Sequence, residues 1–224
     1  MTLHGGKEGL APERVRVYPE ISLEEEFARQ SSLIIARFAK HLGISELDVR
    51  ALLPSAFPGK PESFNGEEIV PVIIPKFLLP GYKVPSWHKA VYAARLSMSI
   101  DLRYGYGRSE LTEWKDPRGI VTPNKPYSAW LYVGDDYLNR KPSDVRAELP
   151  ENRRAGDHWD GLGLAVVRKD IVRAKGFDLI GGQVGHGDVP LVTWWRGHPD
   201  FSSHSDQNAN PRFRSLVCGK EVEI

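Results

Sequence analysis

The 224 residues are punctuated by 17 prolines and 21 glycines, so connections are many and the apolar runs between them are short. The first firm element opens at Ser22. Ser22 and Glu25 stand at the spacing of a capping box, where hydroxyl and carboxylate satisfy amides that a first helical turn leaves open. Phe27, Ile34, Ile35, Phe38 and Leu42 follow at helical spacing, and Gly43 stops the helix. Ser45 begins a short helix through Val49, Leu52 and Leu53 that Pro54 ends, so residues 22–53 read as a helical hairpin. Residues 1–20, polar and interrupted by Pro12 and Pro19, read as a flexible tail.

Further along, residues 67–75 form a short apolar strand. Pro71 cannot donate to a ladder and confines that strand to an edge or a bulge. Residues 77–87 read as a loop, and 87–95 suit helix or strand. Residues 96–103 alternate, with Leu96, Met98, Ile100 and Leu102 on one face, as a half-buried strand does. Residues 104–126 are a long connection of the kind that carries function. In the strand 128–134, Trp130 and Tyr132 face away from Ala129, Leu131 and Val133. Ser143 is placed to cap a helix that Pro150 ends. Asp160 is placed to cap another, with the stripe Leu164, Val167, Ile171 and Ala174, stopped by Gly176. Residues 177–184 and 189–195 flank the turn GHGD as a hairpin. A final strand, 212–218, carries Cys218, read as a small buried residue. This order predicts an α+β domain over residues 21–224: a mostly antiparallel sheet, an N-terminal helical hairpin and two further short helices.

Charge and cysteine exclude several functions. One cysteine forms neither an internal disulfide nor a cysteine zinc site. Residues 1–112 carry 14 basic and 13 acidic side chains, and residues 113–224 carry 16 of each. No stretch is the basic stripe that releases counterions from nucleic acid. No run reaches the roughly 18 apolar residues that cross a bilayer, and the first residues lack the apolar core of a signal peptide. The expectation is a soluble cytoplasmic protein, with neither nucleic acid nor membrane as partner.

Three constellations remain. Ala39, Gly43 and Val49 have the spacing of a helix-turn-helix, but the exposed side of the second helix carries Glu46 and Asp48 beside Arg50. Carboxylates there repel phosphates, which favours a packed hairpin. Histidine and aspartate cluster in the last third: Asp157, His158 and Asp160; His186 and Asp188; His198, Asp200, His204 and Asp206. Imidazole with carboxylate binds divalent metals and moves protons. His186, His198 and Asp200 are the catalytic candidates, and the same three with His204 the metal candidates. Arg153, Arg154, Trp159, Asp188, Trp195 and Arg196 are the ligand-binding candidates, the two arginines being read as solvated loop residues able to meet an anion. The Gly-X-Gly of residues 161–163 follows no strand and lacks a third glycine, so the dinucleotide fingerprint fails.

Taken in order, EEFARQ (25–30), LGISELDVRALL (42–53), VPVIIP (70–75), PYSAWLYVGDDYLN (126–139), PSDVRAELPENRRAG (142–156), DGLGLAVV (160–167), FDLIGGQVGHGDVPLVTWW (177–195), NPRF (210–213) and SLVCG (215–219) resemble a bacterial, mainly actinobacterial, family of uncharacterised proteins. The family is classed as a domain of unknown function. The resemblance implies one compact unit and no reaction. Residues 198–209 depart from the family pattern, so it assigns His198 and His204 no shared role.

The leading expectation is an accessory module that binds a small ligand or a protein through residues 104–126, 153–161 and 185–208. A metal-assisted hydrolase built on the His/Asp cluster of 158–206 is the second, with a divalent metal as its cofactor. DNA binding through 39–53 is the third.

Overall fold

The computed structural model describes residues 21–64, 68–78, 83, 86–98, 111–185 and 187–224. The N-terminal hairpin is present as α1 (Leu23–Leu42) and α2 (Glu46–Leu52). Ser22 with Glu25, and Ser45 with Asp48, both close reciprocal capping boxes. Gly43 ends α1 with φ 68°, a left-handed conformation that glycine adopts without strain. Ala39 and Val49 are buried between the helices, as the hairpin reading requires.

Among the described residues, eleven strands build two sheets. The first runs in the order β1 (Ile69–Ile74), β4 (Tyr127–Tyr132), β11 (Val217–Glu223), β5 (Arg153–Ala155), all antiparallel. The second is centred on β8 (Asp188–Trp195). One edge of β8 takes β9 (His198–Ser205), which takes β2 (Ser97–Met98). The other takes β6 (Gly176–Asp178) with β10 (Phe213–Ser215), and β7 (Gly182–Val184) with β3 (Leu111–Glu113). Among the described residues, only β2–β9 and β6–β10 are parallel. The fold class is α+β with mostly antiparallel strands.

The six residues of β4 are all buried, because the first sheet has a core on each face. Tyr127, Ala129, Leu131 and Val133 join the large core under the helices. Trp130 and Tyr132 join a smaller one with Phe64, Ile69, Val145, Ala155, Ile180 and Val217. The alternation read from the sequence is thus an alternation between two cores, not between core and solvent.

Helix α5 (His158–Val167) packs against both β1 and β8, and all ten of its residues are buried. Two glycines permit that approach. A Cβ on Gly163 would lie 3.0 Å from the Ile73 carbonyl oxygen, and one on Gly161 would lie 2.6 Å from Leu179. The Gly-X-Gly that fails as a nucleotide signature is a packing device between two sheets.

Pro71 does confine β1 to an edge, and that edge is closed by a side chain. The Gln30 carboxamide, buried on α1, donates to the Pro71 carbonyl at 2.8 Å and accepts from the Ile73 amide at 2.9 Å. It pairs with the strand as another backbone would, which protects an otherwise open edge. Its amide nitrogen also donates to Glu26, which Arg29 holds through two bonds of 2.6 Å.

Several boundaries differ from the expectation. Asp157, not Asp160, caps α5; Asp160 is the third residue of the resulting capping box. The stripe continuing to Ala174 is broken at Arg168, and a separate α6 (Lys169–Ala174) follows. Residues 87–93 settle as α3. In α4 (Pro142–Glu148) the proline takes the first helical position and Lys141 precedes it. Ser143 therefore lies inside the helix rather than capping it. Residues 212–218 are not one strand: β10 belongs to the second sheet and β11 to the first. Residues 198–205, read as loop, form β9. Of the alternating segment 96–103, residues 99–103 lie outside the described residues, as do 104–110 of the long connection and His186.

Replacing Gln30 with leucine keeps the volume but strands two buried backbone groups of β1. Leaving each unpaired costs about 1–3 kcal/mol, so Gln30→Leu is expected to lower unfolding stability by about 2–5 kcal/mol. Urea denaturation checks this, and a loss below about 0.5 kcal/mol, within the range of an ordinary surface substitution, refutes the edge-closing role.

Candidate functional site

A cleft of about 330 Å³ opens between β3 with the segment after it (residues 114–122) and the junction of β5 with α5. Trp114, Ile120 and Val121 supply apolar wall. Glu113, Lys115, Asp116, Thr122, Arg154 and Asp157 supply polar groups. Five stretches of backbone bring charge here. Lys115 and Asp116 follow β3, and Asp116 is held by Arg118 at 2.7 Å. Arg154 comes from β5, Asp157 from the cap of α5 and Glu113 from the end of β3. Lys76 lies two residues beyond β1 and reaches Glu113 at 2.5 Å and the Thr122 hydroxyl at 3.0 Å. That hydroxyl stands between two carboxylates, 3.4 Å from Glu113 Oε2 and 3.4 Å from Asp157 Oδ2.

Behind the cleft, Arg154 grips Asp160 with two bonds, 2.6 and 2.8 Å, and both side chains are buried. Tyr127 donates its phenol to the same carboxylate at 2.9 Å, and the Asp157 amide donates at 2.8 Å. Burial alone would raise the Asp160 pKa, but the charge and hydrogen bonds of Arg154 outweigh it and hold the group below the usual range. Asp157 has the opposite fate. Burial and the neighbouring Asp160 charge raise its pKa to about 7, with Arg154 opposing only in part. Two acids three residues apart thus hold a proton with very different strength, the usual basis for acid–base division of labour. Asp157 Oδ1 accepts from the Trp159 and Asp160 amides at 2.7 and 3.0 Å, which leaves Oδ2 toward Thr122.

Most of these charges can be paired off. Lys76 matches Glu113, and Arg154 matches Asp160. Asp116 matches Arg118, and exposed Lys115 makes no ion pair among the described residues. Asp157 also contacts no cation, and burial beside the Asp160 charge is why it takes up a proton so readily.

The predicted site residues scatter. Arg154 lines the cleft, but neither it nor Arg153 is a solvated loop residue: both are buried on β5. Alternation along the strand sends Arg153 the other way, over the Phe64 ring at 4.5 Å and to the Tyr137 hydroxyl at 3.0 Å. Trp159 is core. Trp195 and Arg196 form the exposed tip of the β8–β9 hairpin, where Arg196 has φ 47° and Gly197 φ 90°. Asp188 opens β8 opposite Val184 and Ser205 and does not line the cleft.

Ser97 joins two of the catalytic candidates. Its hydroxyl donates to Asp200 at 2.6 Å and lies 3.0 Å from His198 Nδ1. In a nucleophilic triad the imidazole stands between hydroxyl and carboxylate; here the hydroxyl is in the middle, so His198 is not aligned to take the serine proton. His204 pairs instead with buried Asp178 at 3.5 Å, and that contact raises its pKa. Six residues of extended strand separate His198 from His204, about 20 Å at roughly 3.3 Å per residue. Those two cannot share one metal ion. Among the described residues, no three His, Cys, Asp or Glu side chains are placed to hold one. His158 is buried between Trp87 and Trp159, and burial with the charge of Lys76 lowers its pKa to about 3, so it stays neutral. The Cys218 thiol is pushed well up by burial, which makes it a poor nucleophile.

Sequence reasoning pointed to the segments 104–126 and 153–161, which contribute residues to the cleft, but it did not single out Glu113 or Thr122 and passed over Lys76 and Tyr127. No spacing signals these four, because each comes from a different stretch of the chain. Compared with family models, curated proteins and solved structures, the chain matches none.

Two outcomes follow. Removing one partner of a buried ion pair costs about 3–5 kcal/mol, so Arg154→Met is expected to destabilise by that amount in denaturant titration; a loss under about 1 kcal/mol contradicts the buried-pair account. For Asp157, the folded state keeps its proton to about pH 7, whereas an ordinary aspartate releases it near 3.8. The stability this contributes is full below pH 3.8 and is lost as pH rises through about 7. Asparagine keeps the cap and removes the titration. Between those limits the wild type should lose stability relative to Asp157→Asn as pH rises, and parallel profiles would refute the raised affinity for a proton.

Proposed function

We propose that the cleft is a small-molecule site for a ligand that carries a cationic amino or imidazole head on a short apolar body, and that Asp157 gives up its proton to solvent when that head binds. The observation behind this reading is a buried carboxyl with no ion pair: Lys76 with Glu113, Arg154 with Asp160 and Arg118 with Asp116 are matched, while Asp157 contacts no cation and the lining Lys115 is exposed. A cationic head against Asp157 would favour its ionised form. Trp114, Ile120 and Val121 offer apolar surface to the rest of the ligand, and the volume lies at the lower end of small-ligand sites. The resemblance to an uncharacterised bacterial family adds no reaction, so the reading rests on the site.

Fragments that share an aromatic body and differ in the head group test it. Calorimetry near pH 6.5, in buffers of different ionisation enthalpy, should show amines binding more tightly than matched carboxylates or alcohols, with proton release on binding. Asp157→Asn should abolish both the preference and the released proton while the melting temperature is kept. Quenching of Trp114, identified by comparison with Trp114→Phe, should report binding at the cleft. Equal binding of amines and carboxylates, or an unchanged preference in Asp157→Asn, would overturn the proposal.

A further inference from the structure

A second concavity lies on the helical side, away from the cleft. It measures about 380 Å³ and is lined by Ala36, Arg37, Lys40, His41, Arg95 and Lys169. Three elements meet there: the last two turns of α1, the residue pair after α3, and the first residue of α6. Five of the six lining residues carry or can carry positive charge, and among the described residues no carboxylate lines it.

The arrangement is costly for a structural feature. The negative end of the α1 dipole accounts for Lys40 and His41. It does not account for the other three. Arg37 is half-buried and spends one nitrogen on the Ala94 carbonyl at 3.1 Å. Arg95 sits at φ 57°, a left-handed position where a side chain is strained and glycine is the easier residue. Lys169, from a different helix, faces the same hollow. Burial and like-charge neighbours push against ionisation here: Arg95 acts on Arg37, and Arg37 acts on Lys169. Elsewhere several buried or half-buried cations are paired with carboxylates, as with Lys76, Arg146, Arg154 and Lys175. Around this hollow, among the described residues, no ion pair relieves the repulsion.

The geometry points to a binding site for a small phosphorylated molecule carrying at least two negative charges. Arginine presents a planar fork that matches phosphate oxygens, and the lysines add point charge. Two features favour a small ligand over a nucleic acid. The basic surface is a hollow rather than a stripe, and α2, which directly follows α1, exposes Glu46 and Asp48. The inference is independent of the cleft at Asp157.

Calorimetric titration of the full chain with inorganic pyrophosphate, at ionic strength held constant with sodium chloride, is the test. Saturable binding is expected. Lys40→Ala combined with Lys169→Ala should weaken it at least tenfold, while Lys220→Ala, on β11, should leave it unchanged. Lys40 and Lys169 are exposed, so the fold should survive; Arg37→Lys, which keeps charge but loses the fork, gives a second reading and should weaken binding less than Arg37→Ala. Tighter binding of glycerol phosphate than of inorganic phosphate would assign an esterified ligand, and the reverse the free anion. The inference is overturned by any of four results: no saturable binding at millimolar pyrophosphate, equal binding by the double variant, a response matched by chloride alone, or preferential binding of duplex DNA.

Discussion

The buried Arg154–Asp160 pair is the interaction on which the centre of this molecule depends. Asp160 collects four donors: both terminal nitrogens of Arg154, the Tyr127 hydroxyl and the Asp157 amide. They come from β5, β4 and the start of α5, so a single carboxylate fixes the entry of the central helix against the first sheet. A buried charge is tolerable only with this degree of satisfaction. The same arrangement has a chemical result. Once Asp160 has taken the available cation, its neighbour Asp157 must share the dry surroundings of a negative charge with too little compensation. The structural demand on one acid produces the proton affinity of the other.

The elements with a strong periodic signal were legible in sequence. The two capping serines, Gly43 and the apolar stripe of α1 marked the hairpin, and Pro71 marked an edge strand. What failed was whatever depended on partners distant along the chain. Asp157 and Asp160 both suit a cap, and only the Arg154 fork decides which one stays outside the helix. Arg153 and Arg154 look like solvated residues until two aromatic rings and a carboxylate are placed beside them. Residues 198–205 were read for their histidines, yet their pairing with β8 makes them a strand that holds His198 and His204 far apart.

The charge count illustrates the same limit. Acidic and basic residues balance in each half of the sequence, which argues soundly against an extended basic stripe. Balance along a chain says nothing about balance in space. Arg37, Arg95 and Lys169 are separated by 58 and 74 positions and come to line one hollow. Lys76 and Glu113 are 37 apart and form an ion pair. Segregation of charge is created by folding, so its sites are found only once the fold is known.

Leu216 is the hinge between two sheets: residues before it extend β6, and residues after it enter between β4 and β5. β11 therefore occupies an interior place, between β4 and β5. Until residues 217–223 are in place, β4 and β5 keep facing edges unpaired, and β6 lacks β10 until residues 213–215 arrive. Both sheets thus depend on pairing between segments distant along the chain, and strand edges left open in the meantime are open to association with other chains.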